Sequence, residues 1–176
     1  MITIRPARAE DAEALPGIEQ SAGEAFRAIA ELAWLADGDN VSVERHRALI
    51  AAGACWVAAD GRGRPVGFLS AGIESDALHI WELDVRLDRQ GQGIGRALLE
   101  RAVADARQRG LAGVTLTTFR AVAWNAPFYR KSGFRILEGI EIDDRLASLL
   151  ADEAEHGMAL DQRCAMRLDF SRADTR

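Results

Sequence analysis

Apolar side chains return at Leu99, Ala102, Val103 and Ala106, the i, i+3, i+4, i+7 spacing that lines one face of a helix. Arg101, Asp105 and Arg109 fall on the opposite side, and Gly110 is placed to close the helix. Upstream, residues 54–59 and 65–73 read as two strands joined by the Asp60-Gly61-Arg62-Gly63 turn, an antiparallel hairpin, and residues 77–85 read as a third strand of the same meander. Residues 113–119 are β-branched and aromatic, so the order from residue 77 is strand, glycine-rich loop, helix, strand, a parallel crossover. The chain opens with a short strand over residues 2–5, stopped by Pro6, and a helix over residues 9–20. A second helical stretch is expected over residues 24–35 and a third begins at Ser42, an N-cap with Arg45 at the third helical position. Asn125 is placed to cap a short helix that has Pro127 in its first turn and Gly133 just past its end. Residues 134–137 resume a strand, residues 143–155 a helix, and residues 164–170 a last strand. The expectation is an α/β (α+β) domain with six or seven strands, spanning residues 1–170, with a flexible tail over residues 171–176.

Composition narrows the partners. The 176 residues carry 22 Lys plus Arg against 27 Asp plus Glu, a net charge of −5, and Lys131 is the only lysine. No cluster of cations offers a footprint for a nucleic-acid backbone. No apolar run approaches the roughly 18 to 20 residues that span a bilayer, and the first residues lack the apolar core of a signal peptide, so neither nucleic acid nor membrane is expected and the expected location is cytoplasmic. Cys55 and Cys164 lack the spacing of a zinc or redox motif and read as buried thiols, so no metal site is expected.

The loop between strand and helix carries the chemistry. Glycines 91, 93 and 95 precede a helix whose first N–H groups lack intrahelical acceptors, an anion site by main-chain physics alone. A dinucleotide fingerprint fails, because the sixth residue is Arg96 counted from Gly91 and Leu98 counted from Gly93. A Walker loop fails at Arg96-Ala97-Leu98. Gln-x-x-Gly-x-Gly does fit, as Gln90-Gly91-Gln92-Gly93-Ile94-Gly95. With Leu83-Asp84-Val85 before it and Asn125-x-x-x-Tyr129-x-x-x-Gly133-Phe134 after it, the sequence resembles the GNAT (Gcn5-related N-acetyltransferase) superfamily over nearly its whole length.

That resemblance implies a mixed sheet with helices on both faces and a splayed central strand pair, and acetyl-CoA as co-substrate. It implies that the amides of Gln92, Gly93, Gly95 and Arg96 hold the pyrophosphate, that Gln90 and Gly91 shape the loop, and that main-chain groups of Leu83 and Val85 pair with the pantetheine arm. Many members have His-Pro after the strand valine, where this chain has Arg86-Leu87.

Acetyl transfer to an amine needs a proton acceptor, a donor to the oxyanion and an acid for the departing thiolate. Tyr129, the only tyrosine, matches the family's general acid; the same residue would also suit a ring packed on the core. Asn125 fits either a helix cap or a pantetheine contact. For the base, His79 falls where several members keep a Glu or His, Glu82 is its rival, and solvent is a third candidate. The segments expected to wall the acceptor, residues 24–41 and 139–161, hold Glu24, Glu31, Asp37 and Asp39, then Glu141, Asp143, Asp144, Asp152, Glu153 and Glu155, which suit a cationic amine or equally a solvated face. Trp34 and Trp124 could line a pocket for a ring-bearing amine or belong to the core. The expected function is an N-acetyltransferase acting on a small-molecule primary amine by direct attack, with a homodimer as an assembly to consider. The alternatives are a protein or peptide N-acetyltransferase, or a non-catalytic acyl-CoA-binding module.

Overall fold

The computed structural model describes residues 1–170; the tail expected over residues 171–176 lies outside them. Strands β1 (Thr3–Pro6), β2 (Cys55–Ala59), β3 (Pro65–Glu74), β4 (Ala77–Val85), β5 (Gly113–Phe119), β6 (Arg135–Ile136) and β7 (Arg163–Asp169) form one mixed sheet. Its order is β1-β2-β3-β4-β5-β7-β6, so the last strand inserts between β5 and β6. Pairing is antiparallel for β1 with β2 and for β2 with β3, parallel for β4 with β5, and antiparallel again for β7 with both neighbours. The parallel register covers three residue pairs and ends at His79↔Thr115, whereas β5 stays paired with β7 as far as Phe119.

The chain gathers into two compact units, one of residues 1–73 and 81–105, the other of residues 74–80 with the chain from residue 106 on. In the first unit, the helical stretch expected from residue 9 divides. Residues Ala9–Glu13 form a 3-10 turn because Asp11 turns inward to take both guanidinium nitrogens of Arg5, at 2.7 and 2.9 Å, and the Arg8 N–H at 2.7 Å. Helix α1 (Leu15–Gly23) then starts afresh with Pro16 in its first turn, where a missing N–H costs nothing. Pro6 ends β1 from within, pairing in register with Trp56.

The stretch over residues 24–35 is a correction to the sequence reading: it forms 3-10 turns, Glu24–Ala28 and Ala30–Asp37, and not an α-helix. Ile29 between them is extended, at φ −116° and ψ 107°. Ser42 caps α2 (Val43–Ala51) as expected, its side chain accepting from the Arg45 N–H. One face of the sheet presents Val57 and Phe68 to Leu15 and Ile18 of α1, burying all four. The other face presents Gly67 to Ile94, the first residue of α3 (Ile94–Gln108). Helices therefore cover both faces of this part of the sheet.

In the second unit, the short helix α4 (Ala126–Arg130) precedes β6, and α5 (Asp144–Glu155) begins at an Asp143 cap. Leu146 and Leu150 of α5 pack on Ala165 of β7 and on Leu137. Cys55 and Cys164 are free and buried, as the sequence suggested, and burial pushes the Cys55 thiol up to about 12. No helix among the described residues is long and apolar enough to cross a membrane.

Candidate active site

The glycine loop and its surroundings lie within the first unit. Gly91 and Gly93 adopt φ of +72° and +79°, a left-handed backbone that costs an ordinary residue roughly 1 to 2 kcal/mol. A Cβ added at either glycine meets no protein atom within 4 Å, so the space above the loop is open. Gly93 O accepts from the Ala97 N–H at 3.0 Å, which leaves the amides of the first turn of α3, including Gly95 and Arg96, as those a helix does not satisfy itself. The Arg96 side chain pairs with Glu100 at 2.8 Å. Gln90 shapes the loop in a specific way, its Nε2 donating to the Val85 carbonyl at 3.0 Å. That bond takes one of the two lone pairs of the Val85 oxygen. These observations fit a pyrophosphate held by main-chain amides.

The turn that puts Arg86-Leu87 in place of His-Pro is held by other means. The Arg86 N–H donates to the Val66 carbonyl at 3.0 Å and the Leu87 N–H to the Ser21 hydroxyl at 3.1 Å. A short 3-10 turn, Leu87–Arg89, then delivers the chain to Gln90.

Gly67 shows which way the end of β4 faces. A Cβ there would lie 3.0 Å from the Asp84 carbonyl, 3.2 Å from Val85 Cγ2 and 3.4 Å from Ile94 Cγ2, so Val85 points toward α3. Asp84, one residue back, points to the opposite face, that of α1 and α2. Its Oδ2 is buried without a hydrogen-bond partner, and burial, reinforced by the Glu19 charge, raises its pKa well above the carboxylate range. Glu19 on α1 is raised in the same direction by burial, against the pull of the Val41 N–H, which donates to Oε2 at 3.0 Å. His46 of α2 is fully buried edge-on to Phe68, ring centroids 5.3 Å apart, and its Nε2 stands 3.7 Å from Glu19 Oε2. Burial lowers the His46 pKa, so the ring is neutral.

Sequence reasoning missed this cluster, although its signal was present. Glu19 stands at the i+4 position of the apolar stripe Leu15, Ile18, Ala22, and Asp84 stands between Leu83 and Val85 in an otherwise apolar strand end. Glu82, the base candidate beside it in sequence, is half-buried on β4.

The remaining candidates lie in the second unit. His79 is 1% exposed and its Nδ1 is 2.9 Å from Thr115 Oγ1. Burial above all, with the Arg145 charge, pushes it down to about 3. Arg145 reaches the same hydroxyl at 3.3 Å. The Asn125 side chain makes no capping bond, and its main-chain carbonyl accepts from the Tyr129 N–H at 3.1 Å. Tyr129 is buried, its ring edge-on to Phe134 at 5.6 Å.

Four acids of the two acidic segments pair with arginine among the described residues. Arg27 binds both Glu24 and Asp37, each at 2.7 Å. Glu141 pairs with Arg135, Glu153 pairs with Arg163, and Asp143 caps α5. Trp34 and Trp124 are 44% and 40% exposed, so neither belongs to the core.

A strand end, a glycine loop opening a helix, and this strand order define a class of acyl-transferring enzymes, and relatives agree. The acetyltransferase (GNAT) domain family matches residues 51–136. A peptidyl-lysine N-acetyltransferase, YjaB of Salmonella typhimurium, is 32% identical over 82% of this chain and 90% of its own length. The chain belongs to the GNAT acetyltransferase family and is an N-acetyltransferase, and acetyl-CoA is the donor of that family. Serotonin N-acetyltransferase 2 of rice is 38% identical over a shorter stretch, 44% of this chain and 38% of its own. Among solved structures, the PaiA N-acetyltransferase of Thermoplasma acidophilum, in complex with coenzyme A, shares the fold at a TM-score of 0.70 and 18% identity, covering 97% of this chain and 99% of its own. The ribosomal-protein-S18-alanine N-acetyltransferase of Escherichia coli does so at 0.70 and 20%, covering 100% and 98%.

Proposed function

We propose that this protein transfers the acetyl group of acetyl-CoA to a primary alkylamine of a small molecule, by direct attack. The observation that carries the donor side is the open, left-handed Gly91–Gly93 loop at the start of α3. On the acceptor side, the named substrates of the two curated relatives, a peptidyl lysine and serotonin, share one chemistry: an amine at the end of an alkyl chain.

Acetyl-CoA supplies an activated thioester whose leaving group, a thiol of pKa near 8.5, departs readily. The chain supplies the rest. The amides of Gln92, Gly93, Gly95 and Arg96 bind the diphosphate, and Gln90 and Gly91 hold the loop in that form. Leu83 and Val85 offer main-chain groups to the pantetheine arm, with the Val85 N–H placed to meet charge on the acetyl oxygen. Asn125, whose side chain is not spent on a cap, is free to contact the same arm. Tyr129 donates its phenolic proton to the departing sulfur. His79 is assigned to holding Thr115 and not to proton abstraction, because a ring pushed to about 3 accepts protons poorly at neutral pH. Glu82 keeps its place as a carboxylate near the end of β4.

A lysine side chain within a peptide is the second reading, favoured by the match to YjaB. Thiol release measured in parallel with tryptamine-like amines, polyamines, free lysine and a lysine-containing peptide separates the two. Turnover of the free amines supports the small-molecule reading; turnover of the peptide alone overturns it in favour of the second. Failure to bind acetyl-CoA in a titration removes both.

A further inference from the structure

We propose that Asp84, with Glu19 beside it, is the proton acceptor for the incoming amine, and that the pair is what selects a cationic primary amine as the acceptor. This rests on the acetyl-transfer reading above and assigns within it the one service left without an owner.

Position comes first. Asp84 immediately precedes Val85, so the two α-carbons are about 3.8 Å apart. Val85 points to the α3 face, and strand alternation turns Asp84 to the opposite face, where the Glu19 charge of α1 acts on it. A nucleophile that attacks an acetyl carbon, with its oxygen at the Val85 N–H, can therefore be deprotonated by a carboxyl on the residue just before it. Neither His79 nor solvent is needed.

The surroundings supply the second observation. Asp84 Oδ2 has no hydrogen-bond partner, and neither carboxyl forms an ion pair with an arginine among the described residues. The groups that face the pair are the His46 ring from α2, fully buried with both ring nitrogens unpartnered, and the Val41 N–H ahead of α2. A neutral imidazole cannot compensate two carboxylates. Elsewhere in this chain inward-turned acids are matched with arginine, as Asp11 is with Arg5. An acidic pair left without a cation is completed by one that arrives from outside, and an alkylammonium has that charge.

The step balances as follows. Ionised Asp84 takes one proton from the ammonium; the free nitrogen forms the C–N bond as the C–S bond breaks, and the electron pair leaves on sulfur. The second proton shed by nitrogen restores the Tyr129 phenol, which has given its own proton to the thiolate. The proton on Asp84 passes to Glu19, whose side chain is 18% exposed, and from there to water. A positive charge that is lost on transfer also loosens the product, because the acetamide no longer matches the pair.

The experiment is the pH profile of kcat/KM with the best amine of the screen, alongside direct titration of coenzyme A. For Asp84→Asn, kcat/KM at neutral pH is expected to fall about 100-fold while coenzyme A binding is kept. For Glu19→Gln, the acid limb of the profile is expected to move to lower pH, because the charge that holds Asp84 protonated has gone. Asp84→Asn within three-fold of the parent, or an acid limb that Glu19→Gln leaves in place, overturns the proposal while leaving the acetyl-transfer reading intact. If Asp84→Asn does not fold, the shift in Glu19→Gln decides alone. If the parent acetylates no amine, the acetyl-transfer reading falls first and this inference with it.

Discussion

Two polar clusters in this protein are built from similar residues and behave in opposite ways. In the second unit, Glu153 receives Arg163 at 2.8 and 2.9 Å and the Thr117 hydroxyl, and His79 shares Thr115 with Arg145. In the first, Asp84 feels the Glu19 charge, its Oδ2 has no hydrogen-bond partner, and Glu19 has a neutral histidine and a main-chain N–H beside it. The lesson is about where charge is settled. A buried carboxylate with a guanidinium and a hydroxyl is complete as folded and contributes to holding β5, β7 and α5 in register. One with neither is incomplete as folded, and costs stability that function must justify.

Removal of Arg163 is the most severe way to break that contrast. With side chains only 10% and 17% exposed, Arg163→Met leaves Glu153 uncompensated in the manner of Asp84. The expected loss is about 3 to 4 kcal/mol, a fall in Tm of roughly 6 to 16 °C by calorimetry. A change of under 2 °C would mean that the ion pair is ornamental.

The two clusters should also answer pH with opposite signs. His79 is depressed from 6.5 to about 3 in the folded protein, so between those values the unfolded chain binds the extra proton. Its contribution is present above pH 6.5 and drains away as pH falls, by up to about 1.4 kcal/mol per pH unit, or about 3 kcal/mol on reaching pH 4. Urea unfolding of His79→Gln between pH 7 and 4 should show a visibly flatter acid decline than the parent. Asp84 is raised above its ordinary 3.8, so here the folded state holds the extra proton and stability is lost as pH rises through the folded value. Asp84→Asn, which cannot ionise, should gain about 2 kcal/mol over the parent at pH 8 and little at pH 4. A variant less stable than the parent at both values would show that Asp84 is held by contacts of its own.

Legibility from sequence followed the same division. The glycine loop could be read because its requirements are local: positive φ at fixed spacing, next to a helix whose first amides are open. The meander, the crossover and the Ser42 cap were readable for the same reason. What failed was what depends on distant partners. The 3-10 turns of residues 24–37 are set by an extended Ile29 and by tertiary ties such as Gln20 Nε2 to the Ala36 carbonyl at 2.9 Å, neither of which a helical spacing reveals. His79 was read as a candidate base, but it is buried, and the groups that surround it come from β5 and from Arg145 of α5, 66 positions away in the chain. The acidic segments suited an attracting wall or a solvated face alike, and nothing in the chain order showed that Arg27, Arg135 and Arg163 take Glu24, Asp37, Glu141 and Glu153.

That last point yields the smallest expected effect and a direct check on it. Arg27 is surface-exposed and its two ion pairs are screened by water, so Arg27→Ala should leave the melting temperature nearly unchanged. It does, however, release Glu24 and Asp37 in the segment expected to border the acceptor. If those acids face the amine, the variant gains attraction at a distance: KM for a dicationic polyamine should fall about two-fold at low salt, with kcat unaltered and the gain erased at 0.5 M salt. A monocationic amine should respond less, because the effect scales with the charge being steered. Equal KM values for both substrates at low salt would remove these acids from the acceptor side and leave selection of the amine to the unpaired carboxyls at Asp84 and Glu19 alone.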